Sequence, residues 1–263
     1  MVLRRWALPL MWAHSVHSSA PKPPSLRLFS QNPLFASARL SPPDGQRHYL
    51  FSVMRAREGD RVALFNGIDG EWEAEIVRLN RKGCEFAVRG CLRPQPAPAP
   101  APTLLFGVLK GARLPSLVEK AVELGVGELV PVLTTHCHAR ALNVPRLQAV
   151  ATEAAEQCGR LDVPVISPLA TLRDVLATWD PQRPLFACDT RTGASPLAGQ
   201  SAAAARAGGI LIGPEGGLAP HEWEALDTYG YVTPVSLGRN TLRAETAAMA
   251  ALAILGAATE DAV

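Results

Sequence analysis

Gly209-Ile210-Leu211-Ile212-Gly213-Pro214-Glu215-Gly216-Gly217 is the stretch on which the fold turns. An apolar run of strand length breaks into a glycine-rich turn, and a helix is expected to start near Pro220 with Glu222 in its first turn. Glycines let a backbone approach a ligand closely and adopt positive φ. In open α/β sheets, ligands bind outside the carboxyl ends of strands. Two readings stay open from these residues alone: a ligand-cradling loop, or a tight strand-to-helix turn without a ligand.

The pattern recurs downstream in Val235-Ser-Leu-Gly-Arg-Asn-Thr-Leu-Arg-Ala-Glu-Thr-Ala247. Here too a strand pattern ends in a glycine loop, and Arg243-Ala-Glu245-Thr246 opens an Ala-rich helix reaching about Gly256. Thr241 or Glu245 would serve as a helix cap or a favourable first-turn charge. Capping does not account for two glycine loops closing two strands.

Outward from these loops, residues 103–263 alternate strand and helix. Apolar runs at Leu104–Leu109, Leu129–Leu133, Pro184–Cys188, Gly209–Ile212 and Val232–Leu237 predict strands. Between them, Leu147, Val150, Ala151, Ala154, Ala155 and Cys158 follow helical spacing. Pro145 suits the start of that helix and Gly159 its C-terminal cap. Such βαβ alternation implies a mostly parallel sheet with helices on both faces.

Upstream, Pro94-Gln-Pro-Ala-Pro-Ala-Pro-Ala-Pro102 sets five prolines in nine residues and reads as a semi-rigid spacer. Residues 26–93 before it predict short alternating strands at Arg61–Phe65, Glu71–Val77 and Cys84–Val88, with turns at Asn66-Gly67 and Lys82-Gly83. A short helix is expected over Gln46–Met54. The set suggests a small β-barrel. Residues 1–25 hold Arg4, Arg5 and an apolar run Trp6–Ala13, and Asp44 is the first acidic residue. A signal peptide or an organelle presequence has this look. The rest lacks secretory features, so a disordered N-terminal extension is expected.

The net charge of +2 hides an asymmetry: residues 26–102 carry 11 basic against 8 acidic residues, and residues 103–263 carry 12 against 16. A polyanion would therefore meet the N-terminal half. No stretch reaches the roughly 20 apolar residues of a membrane span. Five cysteines without a CxxC pair argue for a reducing compartment and against a disulfide framework or zinc site. His136-Cys137-His138 is not expected to hold a metal, because neighbours on a strand face opposite ways. Glu123-Leu-Gly-Val-Gly127 has the ExGxG form of Rossmann-type methyltransferases, but it ends an amphipathic helix, and Gly125 reads as a C-cap. No GxGxxG or P-loop pattern occurs.

Taken together, Ile212–Gly217 and, twenty residues on, Leu237–Ala247 resemble the paired C-terminal signature of the RsmE family. Four upstream segments resemble the same family: Glu153–Arg160, Lys120–Val126, Lys110 with Arg113, and His48–Arg55. The similarity spans about residues 26–256.

The resemblance implies a SPOUT-type, trefoil-knotted parallel sheet after a PUA-like barrel. It further implies S-adenosylmethionine-dependent methylation of N3 of a uridine in 16S ribosomal RNA, within the assembled small subunit, by a cytoplasmic homodimer. Backbone of Ile212, Gly213, Pro214, Glu215, Gly216 and Gly217, and of Ser236, Leu237, Gly238 and Leu242, would hold the donor, with Asp189 adding a contact. Arg243 and Glu245 are the expected catalytic residues. Arg47, His48, Arg55, Arg57, Lys110, Arg113 and Arg160 would meet RNA. The chain departs from the family pattern at Thr135-His136-Cys137, where an acidic-Arg-small triplet is usual, and at Ala219, which replaces a Ser or Thr helix cap.

Overall fold

The computed structural model describes residues 24, 26–137, 139–191, 193–200 and 207–260, without the side chains of 257–260. The expected extension falls almost wholly outside these residues. The first sheet has five strands in the order β1 (Arg27–Phe29), β3 (Arg61–Phe65), β4 (Glu71–Asn80), β5 (Gly83–Arg93) and β2 (Arg39–Leu40). β1 pairs parallel with β3, and the other pairs are antiparallel. Both expected turns form through asparagine. Asn66 Oδ1 accepts from the Ile68 and Asp69 amides, and Asn80 Oδ1 from those of Lys82 and Gly83. Such side-chain mimicry of a backbone turn is why Asn favours these places. Three register shifts interrupt the β4–β5 ladder. Bulges of this kind bend a sheet, and this one surrounds a core of Leu28, Leu50, Val62, Leu64, Ala74, Ile76, Phe86 and Val88. The helix expected over 46–54 is an α-turn, α1 (Asp44–His48), that widens into a π-turn over Tyr49–Val53. Its buried residue is Leu50.

Eight parallel strands make the second sheet: β11 (Ser195–Pro196), β13 (Val232–Ser236), β10 (Leu185–Cys188), β12 (Gly209–Ile212), β6 (Thr103–Gly107), β7 (Glu128–Leu133) and β8 (Val165–Ile166), with β9 (Ala170–Thr171) also beside β7. Alternate side chains serve opposite faces, as a strand's period of two requires. Leu104, Phe106, Phe186, Ile210 and Ile212 pack under α2 (Arg113–Glu123), α3 (Val144–Cys158) and α6 (Ala244–Glu260). Leu105, Leu185, Ala187 and Leu211 pack under α4 (Leu172–Thr178) and α5 (Pro220–Leu226). Burial on both faces is why these strands read as unbroken apolar runs. β8, β9, β11 and α4 were not expected, because two-residue strands and a seven-residue helix carry almost no periodic signal. Asn143 caps α3 by accepting from the Arg146 amide, and Gly159 closes it at φ 85°.

One buried carboxylate ties the two sheets together. Glu71, 6% exposed, accepts from Arg27 Nε at 2.6 Å and Arg93 Nε at 2.8 Å. The same two guanidinium groups reach the C-terminus of α3. Arg27 donates to the carbonyls of Ala155, Glu156 and Arg160, and Arg93 to that of Gly159. A helix end leaves four carbonyls without intrahelical partners, and cations there also oppose the helix dipole. Burial pushes the Glu71 carboxyl up, but hydrogen bonds from Arg93 and Arg27 and their charges outweigh it and hold it below its ordinary value. A depressed carboxylate contributes stability above its unfolded-state value and loses that contribution as pH falls through the folded one. Replacing Glu71 by Gln leaves two cations short of a partner and should lower the thermal midpoint at pH 7 by roughly 5–10 °C. The gap to wild type should close as the pH falls through the depressed folded-state value and the Glu71 carboxylate is protonated. Equal midpoints at pH 7 would show that the triad is not what joins the sheets.

Candidate active site

All eight strands of the second sheet point the same way, so their carboxyl ends share one edge. At that edge a cleft of about 890 Å³ opens between the ends of β10, β12 and β13. The residues expected at the donor site converge there. Ile212, Gly213, Pro214, Glu215, Gly216 and Gly217 form one wall, Ser236, Leu237, Gly238 and Leu242 form another, and Asp189 lies between them. The Gly217 amide bonds the Pro214 carbonyl at 2.8 Å, which closes the first loop as a tight turn. Gly238 sits at φ 118°, a conformation that a side chain would strain. Its amide is held by Ser236 Oγ at 3.2 Å.

Charges in the cleft are arranged in pairs. Arg113 of α2 lies 3.2 Å from Glu215 and 3.6 Å from Glu245, so one guanidinium joins the first glycine loop to the first turn of α6; Glu245 itself does not line the cleft. Partial burial pushes Glu215 up, but its own amide, the Lys110 amide and Arg113 hold it below the usual carboxylate range. Lys110 thus meets this loop through its backbone. Glu245 pairs with Arg113 rather than with Arg243, and its Oε2 is buried without a partner among the described residues. Asp189 is committed as well, because its carboxylate accepts from the amide and Nε of Arg191. Arg243 and Arg239, both exposed, line the cleft and have no ion-pair partner among the described residues. Cys188, also on the wall, is pushed up to about 12 by burial, so its thiol stays neutral.

The expected RNA contacts separate. Arg47 and His48 lie in α1, Arg55 and Arg57 in the connection that leads to β3, and none of them lines the cleft. Arg55 and Arg57 are exposed, Arg47 pairs with Asp44, and His48 bonds Ser52. Arg160 is turned inward. Its guanidinium bonds the Val122 and Val126 carbonyls and Asp162, which makes it a brace between α2 and α3 and leaves it few donors for a phosphate. Ala219 offers α5 no side-chain cap, but Glu222 Oε2 accepts from the Ala219 amide at 2.7 Å.

Sequence reasoning missed Arg239, Arg191 and Trp223. The Arg191 guanidinium lies 4.0 Å over the Trp223 ring at the cleft wall. Arg239 sits inside the second glycine loop and Arg191 just past the end of β10, so the strand-end rule that singled out their neighbours applied to both. Trp223 gave no signal, being one apolar residue of a short helix.

The comparisons with known proteins agree with this geometry. A family profile described as RNA methyltransferase domain matches residues 96–256, and another described as RNA methyltransferase PUA domain matches residues 42–89. The ribosomal RNA small subunit methyltransferase E of Rickettsia conorii is 32% identical over 83% of this chain and 90% of its own. That of Synechocystis is also 32% identical, over 82% of this chain and 72% of its own. Among solved structures, a ribosomal RNA small subunit methyltransferase E from Neisseria gonorrhoeae bound to S-adenosyl methionine superposes with a TM-score of 0.79 and 26% identity, covering 88% of this chain and 97% of that one. The chain therefore belongs to the RNA methyltransferase family that includes ribosomal RNA small subunit methyltransferase E.

Proposed function

We propose that this protein transfers the methyl group of S-adenosylmethionine to N3 of a uridine in 16S ribosomal RNA. The observation that carries the proposal is the convergence of both glycine loops, with Arg243, on one cleft at the carboxyl ends of β10, β12 and β13. A volume of about 890 Å³ suits a ligand of this size. The donor is cationic at sulfur, and Glu215 and Glu245 place negative charge beside the loops that would hold it. S-Adenosylmethionine supplies an already activated methyl group, which leaves the protein the tasks of positioning and charge.

In this reading the backbone of 212–217 and 236–242 holds the donor. Uridine N3 carries a proton at neutral pH, and its removal leaves negative charge on the base until the methyl group is transferred and the neutral thioether departs. Arg243, without an ion-pair partner among the described residues, would stabilise that charge at the carbonyl oxygens. Glu245 Oε2, buried and without a hydrogen-bond partner among the described residues, is the candidate acceptor for the proton, and Arg113 lies beside the other oxygen of the same carboxylate. Such a site supplies no nucleophile of its own, in keeping with the neutral Cys188. The basic side chains Arg47, His48, Arg55 and Arg57 would grip RNA phosphates. The proposal includes a trefoil knot in residues 103–263, a division from the barrel over 94–102, a homodimer, the assembled small subunit as substrate, and a cytoplasmic site of action. Among the described residues no helix is long and apolar enough to cross a membrane.

Two measurements test it. Purified protein, labelled S-adenosylmethionine and small subunits from a strain lacking this modification should yield 3-methyluridine in the digested RNA. Donor binding with a different methylated nucleoside would reassign the target. Arg243→Ala should lower kcat about 100-fold with donor affinity unchanged. Full turnover in that variant, with the loss appearing in Arg239→Ala instead, would move the role to the neighbouring arginine.

A further inference from the structure

The donor loop has a second side. Across it from the cleft is the segment after β7, the same Thr135-His136-Cys137 at which the chain departs from its family's pattern. His136 Nδ1 lies 2.9 Å from the Gly216 carbonyl oxygen and 3.2 Å from that of Gly217. Both partners accept only, so Nδ1 carries the proton and donates. The ring comes so close that a Cβ on Gly216 would stand 2.9 Å from His136 Cβ. Glycine is thus required at 216 because the histidine packs on it. One residue earlier, the Thr135 amide and hydroxyl both donate to Glu222 Oε1, while Glu222 Oε2 holds the Ala219 amide. The segment is fastened to the loop by His136 and to the start of α5 by Thr135. Gly216 lines both the cleft and the open hollow formed with Thr135, His136 and Cys137, so the loop there is a single backbone thick.

We infer that His136 is a positioning residue for the donor loop: by holding the Gly216 and Gly217 carbonyls from behind, it keeps residues 213–217 in the shape that binds S-adenosylmethionine. The inference rests on the reading of the cleft as the donor site. His136 itself does not touch the donor. A loop of three glycines has many conformations to lose on binding, and a contact made beforehand removes that cost from the affinity. The effect falls on donor binding and leaves the methyl-transfer step alone.

The test uses the full chain, calorimetry with S-adenosylmethionine, and steady-state methyl transfer. His136→Ala removes the donated hydrogen bond and should raise Kd and KM for S-adenosylmethionine roughly five- to ten-fold. At saturating donor its kcat should stay within about two-fold of wild type. His136→Asn places an amide N–H near the position of Nδ1 and should restore binding to within about two-fold. The inference fails if His136→Ala binds as wild type does, if Asn rescues no better than Ala, or if kcat falls with Kd unchanged. Absence of binding by the wild-type chain would overturn the donor-site reading itself and the inference with it.

Discussion

A single direction for all eight strands of the second sheet is the constraint on which the site depends. Parallel pairing needs a crossover between strands, and here the crossovers place helices on both faces. It also brings every carboxyl end to one edge, so residues distant in sequence meet there without dedicated scaffolding. The loops after β12 and β13 each take a shape that glycine permits, since Gly217 and Gly238 sit at positive φ and a Cβ on Gly216 would collide with His136. β10, which lies between β12 and β13 in the sheet though it precedes both in the chain, contributes Cys188 and Asp189 to the floor between the loops.

Charge pairing then divides the cleft into fixed and available groups. Arg113 is bound to Glu215 and Glu245, and Asp189 to Arg191, so these side chains are held before any ligand arrives. Among the described residues Arg243 and Arg239 are left without ion-pair partners, and Glu245 keeps one buried oxygen without a hydrogen bond.

Attachment of the first sheet to the second follows different physics. Glu71 is nearly buried and would be costly there alone, yet two arginines satisfy it and extend past it to the carbonyls that α3 leaves open. Phe65 adds an aromatic face 4.6 Å from Arg27 and belongs to the core of the second sheet as well. The two sheets are thereby joined by directional bonds as well as by apolar contact, which sets where the basic surface of Arg55 and Arg57 stands relative to the helices.

Most of the architecture was legible in the residues. Apolar runs marked β6, β7, β10, β12 and β13, helical spacing with Pro145 and Gly159 marked α3, and the two glycine loops marked the cleft, since each of these is a local signal. The sequence by itself determined the alternation of strand and helix, the glycines that free the loops, and the residue types available for chemistry. Tertiary structure alone decided which charges face one another. It turned Arg160 inward, gave Arg113 to Glu215 and Glu245, occupied Asp189 with Arg191, and set His136 behind the first glycine loop 80 residues away in sequence. Spacing along a chain governs periodicity over a few turns. An ion pair or hydrogen bond between distant residues exists only once the sheet order and helix packing have brought its partners within about 3 Å.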